Sequence, residues 1–236
     1  MSASRQMVGN RGALIVLMFH GLFKDEAEAF SGDVDPYQPL TGDDLATLIA
    51  CFQNAGYKFI SPADLEAPLQ SSDKRVLLTF DDGYANNLRA LPIMQRFNVP
   101  ATFFVASGNV ASGEPFWWDV LYRERHLRNT PKPQMVAERQ KLKSLNNSEI
   151  KAHLRSLFGS DAFTARSDAD RPMTVDNLKT LASDPLATVG NHSVDHGYAM
   201  IGGPTLLRHC QVVMAPFSMS GIKHAILSRR QQAALP

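Results

Sequence analysis

Ala13–Phe19 is a run of apolar residues without polar alternation, the pattern of a strand buried on both faces of a parallel sheet. Residues 24–40 are polar and broken by Gly32, Pro36 and Pro39, which reads as loop. Thr41 then offers a helix cap with Asp44 three residues on, Leu45, Leu48, Ile49 and Phe52 share one face, and Gly56 closes the helix. Lys58–Ile60 and residues 76–80 read as second and third strands, and Ala101–Val105, β-branched and aromatic, as a fourth. Residues 87–97 read as a helix that begins late or kinks at Pro92. Residues 117–172 lack strand-like runs and read as a helical insertion, with Ser148 as the cap of a helix carrying Ile150, Leu154, Leu157 and Phe158 and ending at Gly159. A helix over 174–182 with Leu178 and Leu181 inward, and a fifth strand over 186–189 broken by Gly190, complete the legible pattern; 211–214 is a possible sixth strand. Strand alternating with helix predicts an α/β fold with a parallel sheet or a (β/α) barrel.

Composition narrows the function class. The 236 residues are 44% hydrophobic and 20% charged, which predicts a packed core in one large domain or two small ones. A formal net charge of +1 argues against nucleic acid as the main partner. Residues 119–172 carry eleven Lys/Arg against seven Asp/Glu, which reads as a solvated helical face. Cys51 and Cys210 form no disulfide or metal framework, and Cys51 reads as core of the helix after Thr41. The apolar run at 13–19 has no small-residue cleavage site after it and is too short to span a bilayer, so the chain as given reads as cytoplasmic, without a membrane span.

The candidate chemistry sits where strands end. Thr79-Phe80-Asp81-Asp82-Gly83 follows the third strand, and His192-Ser193-Val194-Asp195-His196 follows the fifth. An Asp-Asp-Gly is often only a turn, and a His-x-x-x-His is often plain helix surface. Together, each after a strand, they suit the end of an α/β barrel where catalytic groups collect. Asp82, His192 and His196 can supply three ligands to a divalent metal, Zn²⁺ by donor type, and leave a fourth position open. At a helix start the two imidazoles would share a face. Asp81, if it does not bind the metal, is then the general base. His20, at the end of the first strand, and Trp117 and Trp118, as a stacking platform, are candidate substrate contacts; core packing competes with that role for the tryptophans.

These residues resemble the polysaccharide deacetylases, carbohydrate esterase family 4, with the NodB homology domain. Residues 79–83 match that family's first motif and residues 192–196 its second, His-[Ser/Thr]-x-x-His. Leu17-Met18-Phe19-His20, residues 101–105, Phe116-Trp117-Trp118-Asp119 and Gly190-Asn191 are similar too. The resemblance runs from about residue 13 to 200 and implies a deformed (β/α) barrel, a divalent metal, and removal of N-acetyl groups from an amino-sugar glycan. It also implies Asp81 as base and Asp82, His192 and His196 as ligands. The family's later motifs, an arginine with an aromatic, an acidic-tryptophan pair and a late histidine acid, find no match in residues 201–236. The expected organisation is a tail at 1–12, a NodB-like domain at 13–200 incomplete at its C-terminus, and an atypical tail at 201–236, as in a truncated or frame-shifted member. The alternatives are a catalytically impaired barrel that binds glycan or metal, or a hydrolase of another amide such as a formyl group or cyclic ureide.

Overall fold

A computed structural model describes residues 13–66, 70 and 72–194. The chain divides into Met1–Ala199 and Met200–Pro236. The second unit, the tail at 1–12, the possible strand at 211–214 and His196 all lie outside the described residues.

Five strands, β1 (Ala13–Phe19), β2 (Lys58–Ile60), β3 (Lys74–Phe80), β4 (Ala101–Val105) and β5 (Ala187–Asn191), form one parallel sheet in the order β1-β3-β4-β5, with β2 also on β3. β1 pairs β3 along its whole length, from Ala13 opposite Lys74 to Phe19 opposite Phe80. The other edge of β3 is shared: β2 takes Arg75 to Leu77, and β4 takes Thr79 and Phe80. Such a strand has neighbours on both edges and layers on both faces, so Val76, Leu77, Leu78 and Phe80 are all buried, and the continuous apolar run follows. Among the described residues β1 and β5 stand at the two ends of this order.

Helices fill the connections. A single turn, α1 (Glu26–Ala29), forms inside the stretch predicted as loop, because the Asp25 carboxylate accepts from the Glu28 N–H at 2.8 Å. α2 (Gly42–Asn54) starts with a full capping box between Thr41 and Asp44 and buries Leu45 and Ile49. Cys51 is exposed, not core: two positions on from Ile49 it lies about 200° round the helix. α3 (Ala90–Phe97) begins late, after a 3₁₀ stretch at Ala85–Arg89, so that Pro92 falls in its first turn, where its lack of an N–H costs nothing.

After β4 come α4 (Ser107–Ser112), α5 (Trp117–Leu127), α6 (Lys132–Leu142) and α7 (Asn147–Phe158). The cap of α7 is Asn146, not Ser148; Asn146 and Glu149 form the capping box, and the Ser148 hydroxyl donates to Asn146 Oδ1 at 2.6 Å. Trp117, Val120, Leu121, Leu142, Ile150, Leu154, Ala162 and Phe163 give this insertion a core of its own. Its basic residues are mostly paired rather than a solvated face. Arg125 holds Glu138, Lys151 and Arg155 hold Glu114, and Arg123, 1% exposed at its side chain, holds Asp170, 0% exposed, at 2.5 Å. α8 (Val175–Ala182) is capped by Thr174 and leads into β5. β5 runs through Gly190 to Asn191, beyond the predicted break. Gly190 stays paired opposite Phe104, whose ring lies where a Cβ would stand, at 2.6 Å. Among the described residues no helix is long and apolar enough to cross a membrane.

Candidate active site

The parallel register brings the C-terminal ends of β1, β3, β4 and β5 to one edge of the sheet, and backbone hydrogen bonds join the segments that follow. Asp81 N–H donates to Phe19 O at 2.7 Å, Ala106 N–H to Asp82 O at 3.0 Å, and His192 N–H to Val105 O at 2.9 Å. Residues far apart in sequence are therefore fixed side by side through the main chain, before any side chain contributes.

Tight backbone geometry marks both motifs. Asp82 has φ +77° and Ser193 φ +70°, left-handed conformations that cost a non-glycine residue about 1–2 kcal/mol. Strain of this kind collects where the surroundings hold a side chain in a particular place. Gly83 follows at φ +86°, and a Cβ there would stand 2.7 Å from Val105 Cγ1, so the turn and β4 approach as closely as glycine permits. Gly83 O accepts from Met173 N–H at 2.8 Å, and Ser193 O from Ser107 N–H at 3.1 Å, which ties each motif to a second segment.

The side chains converge. His192 Nε2 lies 3.4 Å from Asp82 Oδ1 and 3.9 Å from Asp81 Oδ2. Asp81 and Asp82 are buried, at 7% and 2% exposure. Two ligands of a tetrahedral Zn²⁺ with bonds near 2.1 Å stand about 3.4 Å apart. The Asp82 and His192 donors thus have the spacing and the oxygen and nitrogen chemistry to be two neighbours in such a shell. Among the described residues no group of three or more His, Cys, Asp or Glu side chains is placed to hold a metal, and His196 lies outside them. His192 to Val194 is not helical, so the shared helix face expected for the histidine pair is not formed over those residues.

His20 follows Phe19 and therefore stands beside Asp81. Its Nδ1 is 2.8 Å from Gln38 Oε1, and its carbonyl accepts from Asn87 Nδ2 at 2.6 Å. Trp117, 3% exposed in the core of the insertion, has no ring face to offer a sugar, contrary to its expected platform role. Trp118 is half-buried, stacks on Phe116 and donates its indole N–H to the Tyr84 hydroxyl at 2.9 Å.

Several supporting residues escaped the sequence reading. Tyr84, next after the Asp-Asp-Gly, donates its hydroxyl to Asp119 Oδ2 at 2.6 Å, and Asp35 N–H donates to Asp119 Oδ1 at 3.3 Å. Burial, reinforced by the charges of Asp119 and Asp82, pushes the Tyr84 phenol well above its ordinary range, so it remains a donor. Asn86 Oδ1 accepts from Leu22 N–H at 3.1 Å, and Asn87 holds His20. Two asparagines three and four residues after Gly83 were the available signal, because polar side chains are buried only where they find hydrogen bonds.

Burial lifts the Asp119 carboxyl from 3.8 to about 7, against the Tyr84 and Asp35 hydrogen bonds that favour its charged form. The folded chain then binds a proton that the unfolded chain has lost, so stability falls as pH rises through that window. Between about pH 5 and about pH 7 this amounts to about 2 kcal/mol. In chelator-treated samples, urea unfolding of the wild type is expected to show that decline. Asp119→Asn, whose amide oxygen can still accept from Asp35 while its N–H₂ meets the Tyr84 oxygen, is expected to flatten it. Equal slopes in the two proteins would refute the assignment.

The family model described as polysaccharide deacetylase matches residues 69–211. No curated protein matches the chain. Among solved structures, the Streptococcus pyogenes deacetylase PplD in complex with acetate is similar with a TM-score of 0.47 and 15% identity, over 82% of this chain and 62% of that one. A polysaccharide deacetylase from Bacillus cereus gives 0.43 and 14%, over 78% and 40%. The BpsB deacetylase domain from Bordetella bronchiseptica gives 0.39 and 21%, over 77% and 55%. The chain spans less than two thirds of the length of each of these structures.

Proposed function

Because the chain belongs to the polysaccharide deacetylase family, by a match over residues 69–211, we propose that it is a metal-dependent hydrolase that removes N-acetyl groups from an N-acetylated amino-sugar glycan. The observation that carries this reading is the approach of His192 Nε2 to Asp82 Oδ1 at 3.4 Å with Asp81 Oδ2 3.9 Å away. Asp82 and His192, with His196 as third ligand, would hold the metal. A divalent ion there, Zn²⁺ by donor type, supplies Lewis acidity at the scissile carbonyl and favours a water nucleophile near neutral pH.

The chain's own residues do the rest. Asp81, anchored through its N–H to Phe19 O and outside the ligand set, accepts a proton from the attacking water. The water oxygen bonds to the acetamide carbon, the proton held by Asp81 passes to the departing nitrogen as the C–N bond breaks, and acetate and a free amine result. His20, braced by Gln38 and Asn87, borders the reacting sugar. Low exposure of both aspartates keeps bulk water from screening their charges, which strengthens the hold of Asp82 on a cation and the pull of Asp81 on the water proton. Acetate release from N-acetylated chito-oligosaccharides by the metal-loaded chain tests the proposal, and its absence from a folded, loaded sample defeats it.

A further inference from the structure

The stretch from Ser31 to Leu40 is irregular yet held along its length. Val34 is 4% exposed, packed with Phe23, Ala29 and Ala169. The Asp35 N–H reaches Asp119, and the Asp35 carboxylate accepts from Arg139 at 2.8 Å. Pro36 fixes its own φ, and Tyr37 N–H folds back on Asp35 O at 2.7 Å. Gln38 meets the His20 ring at 2.8 Å and the Met18 carbonyl at 3.4 Å, and Leu40 O receives Phe23 N–H at 2.8 Å. Between these ties Tyr37 is 78% exposed.

A single exposed aromatic is ordinary on a protein surface. This one is not ordinarily placed. The tie on one side of it goes to Asp119, which holds Tyr84, two residues from Asp82; the tie on the other goes to His20, whose neighbour Phe19 holds Asp81. Asp35 and Gln38 are three Cα steps apart, at most about 11 Å, so Tyr37 is confined to a short bridge between two residues tied to the segments on either side of the Asp81-Asp82 turn. A ring presented on backbone already fixed loses little freedom when a ligand covers it. Its apolar face and hydroxyl suit a pyranose, which carries C–H groups on its faces and hydroxyls at its edge.

We infer that Tyr37 is a glycan-stacking residue, and that it takes the sugar unit flanking the one that is deacetylated, so that the chain prefers an oligosaccharide over a single amino sugar. This rests on the deacetylase reading and assigns it a substrate subsite in place of Trp117. His20 follows Phe19, whose carbonyl holds Asp81; Gln38 bonds the His20 ring, and Tyr37 is the residue before Gln38 in the chain.

The test is calorimetric titration of the full chain with N-acetylated chitotetraose and, separately, with N-acetylglucosamine, alongside acetate release from both. Tyr37→Ala is expected to weaken tetraose binding about tenfold and raise KM to match, with kcat and the monosaccharide unaffected. Tyr37→Trp is expected to restore tetraose binding. Circular dichroism spectra should coincide, since the side chain is exposed. Tetraose binding by Tyr37→Ala equal to wild type, with wild-type acetate release intact, overturns this inference alone. Wild-type chain that neither binds tetraose nor releases acetate overturns the deacetylase reading and the inference with it.

Discussion

Asp81→Asn is expected to lower kcat for acetate release by about a thousandfold, within the range for loss of a general base. The amide has the shape of the carboxylate, so the anchoring bond from the Asp81 N–H to Phe19 O and the left-handed turn at Asp82 remain. The variant lacks a basic oxygen to accept the proton from water. The bound metal should stay, because the proposed ligands are Asp82, His192 and His196. Elemental analysis and kinetics on the same sample separate the two effects. Retention of more than a tenth of wild-type kcat, or loss of the metal together with the activity, would show that Asp81 is not the base the proposal requires.

Asp170→Ala is expected to lower the unfolding free energy by about 3–5 kcal/mol, the cost of stranding a buried charge. Arg123 Nη1 bonds Asp170 Oδ2 at 2.5 Å, and Nη2 bonds the Ala162 carbonyl at 2.5 Å. Asp170 also accepts from the Arg166 and Ser167 N–H groups at 3.0 and 2.9 Å. Desolvation nevertheless lifts its carboxyl above the ordinary range, against those hydrogen bonds and the Arg123 charge. Removing the aspartate strips the buried guanidinium of its closest carboxylate, leaving the Ala162 carbonyl and the Glu124 carboxylate 3.7 Å from its Nε, and frees the segment that returns the chain from α7 toward the site. Denaturant unfolding of Asp170→Ala and of the double variant Arg123→Met/Asp170→Leu gives the comparison. The double variant, which leaves no stranded charge, should lose less than the single one. If the single variant unfolds at the same urea concentration as wild type, the pair contributes nothing.

The sheet was legible in the sequence because its signals are local. β1 and β4 are uninterrupted apolar or β-branched runs, and the structure gives both the predicted bounds. The cap at Thr41 was legible for the same reason. The choice between Asn146 and Ser148 was not, since both residues can cap and only the position of the carboxylate of Glu149 distinguishes them. Gly190 reads as a break in one dimension; the Phe104 ring that covers it comes from the neighbouring strand. Trp117 and Trp118 are the same residue type one position apart, and a helix turns one into the core and leaves the other half-buried.

Site residues divide in the same way. The aspartate pair and the histidine motif can be found by type and by their position after strands. Their separation in space depends on the register of β3, β4 and β5, which no local signal encodes. Tyr84, Asn86 and Asn87 act through hydrogen bonds to distant segments, so their types alone did not single them out; Asp119 stands out only as the last residue of the similar stretch Phe116-Trp117-Trp118-Asp119. Tyr37 falls in a stretch that reads as plain loop, and its position depends on Asp119 and His20.

The proposed metal-dependent deacetylation is tested most directly by acetate release from N-acetylated chito-oligosaccharides, followed while zinc is returned stepwise to the chelator-stripped chain. The account predicts no release from the stripped protein and recovery that levels off near one equivalent of ion per chain. Release that persists at full rate without metal, or none at any zinc level from folded protein, would contradict it.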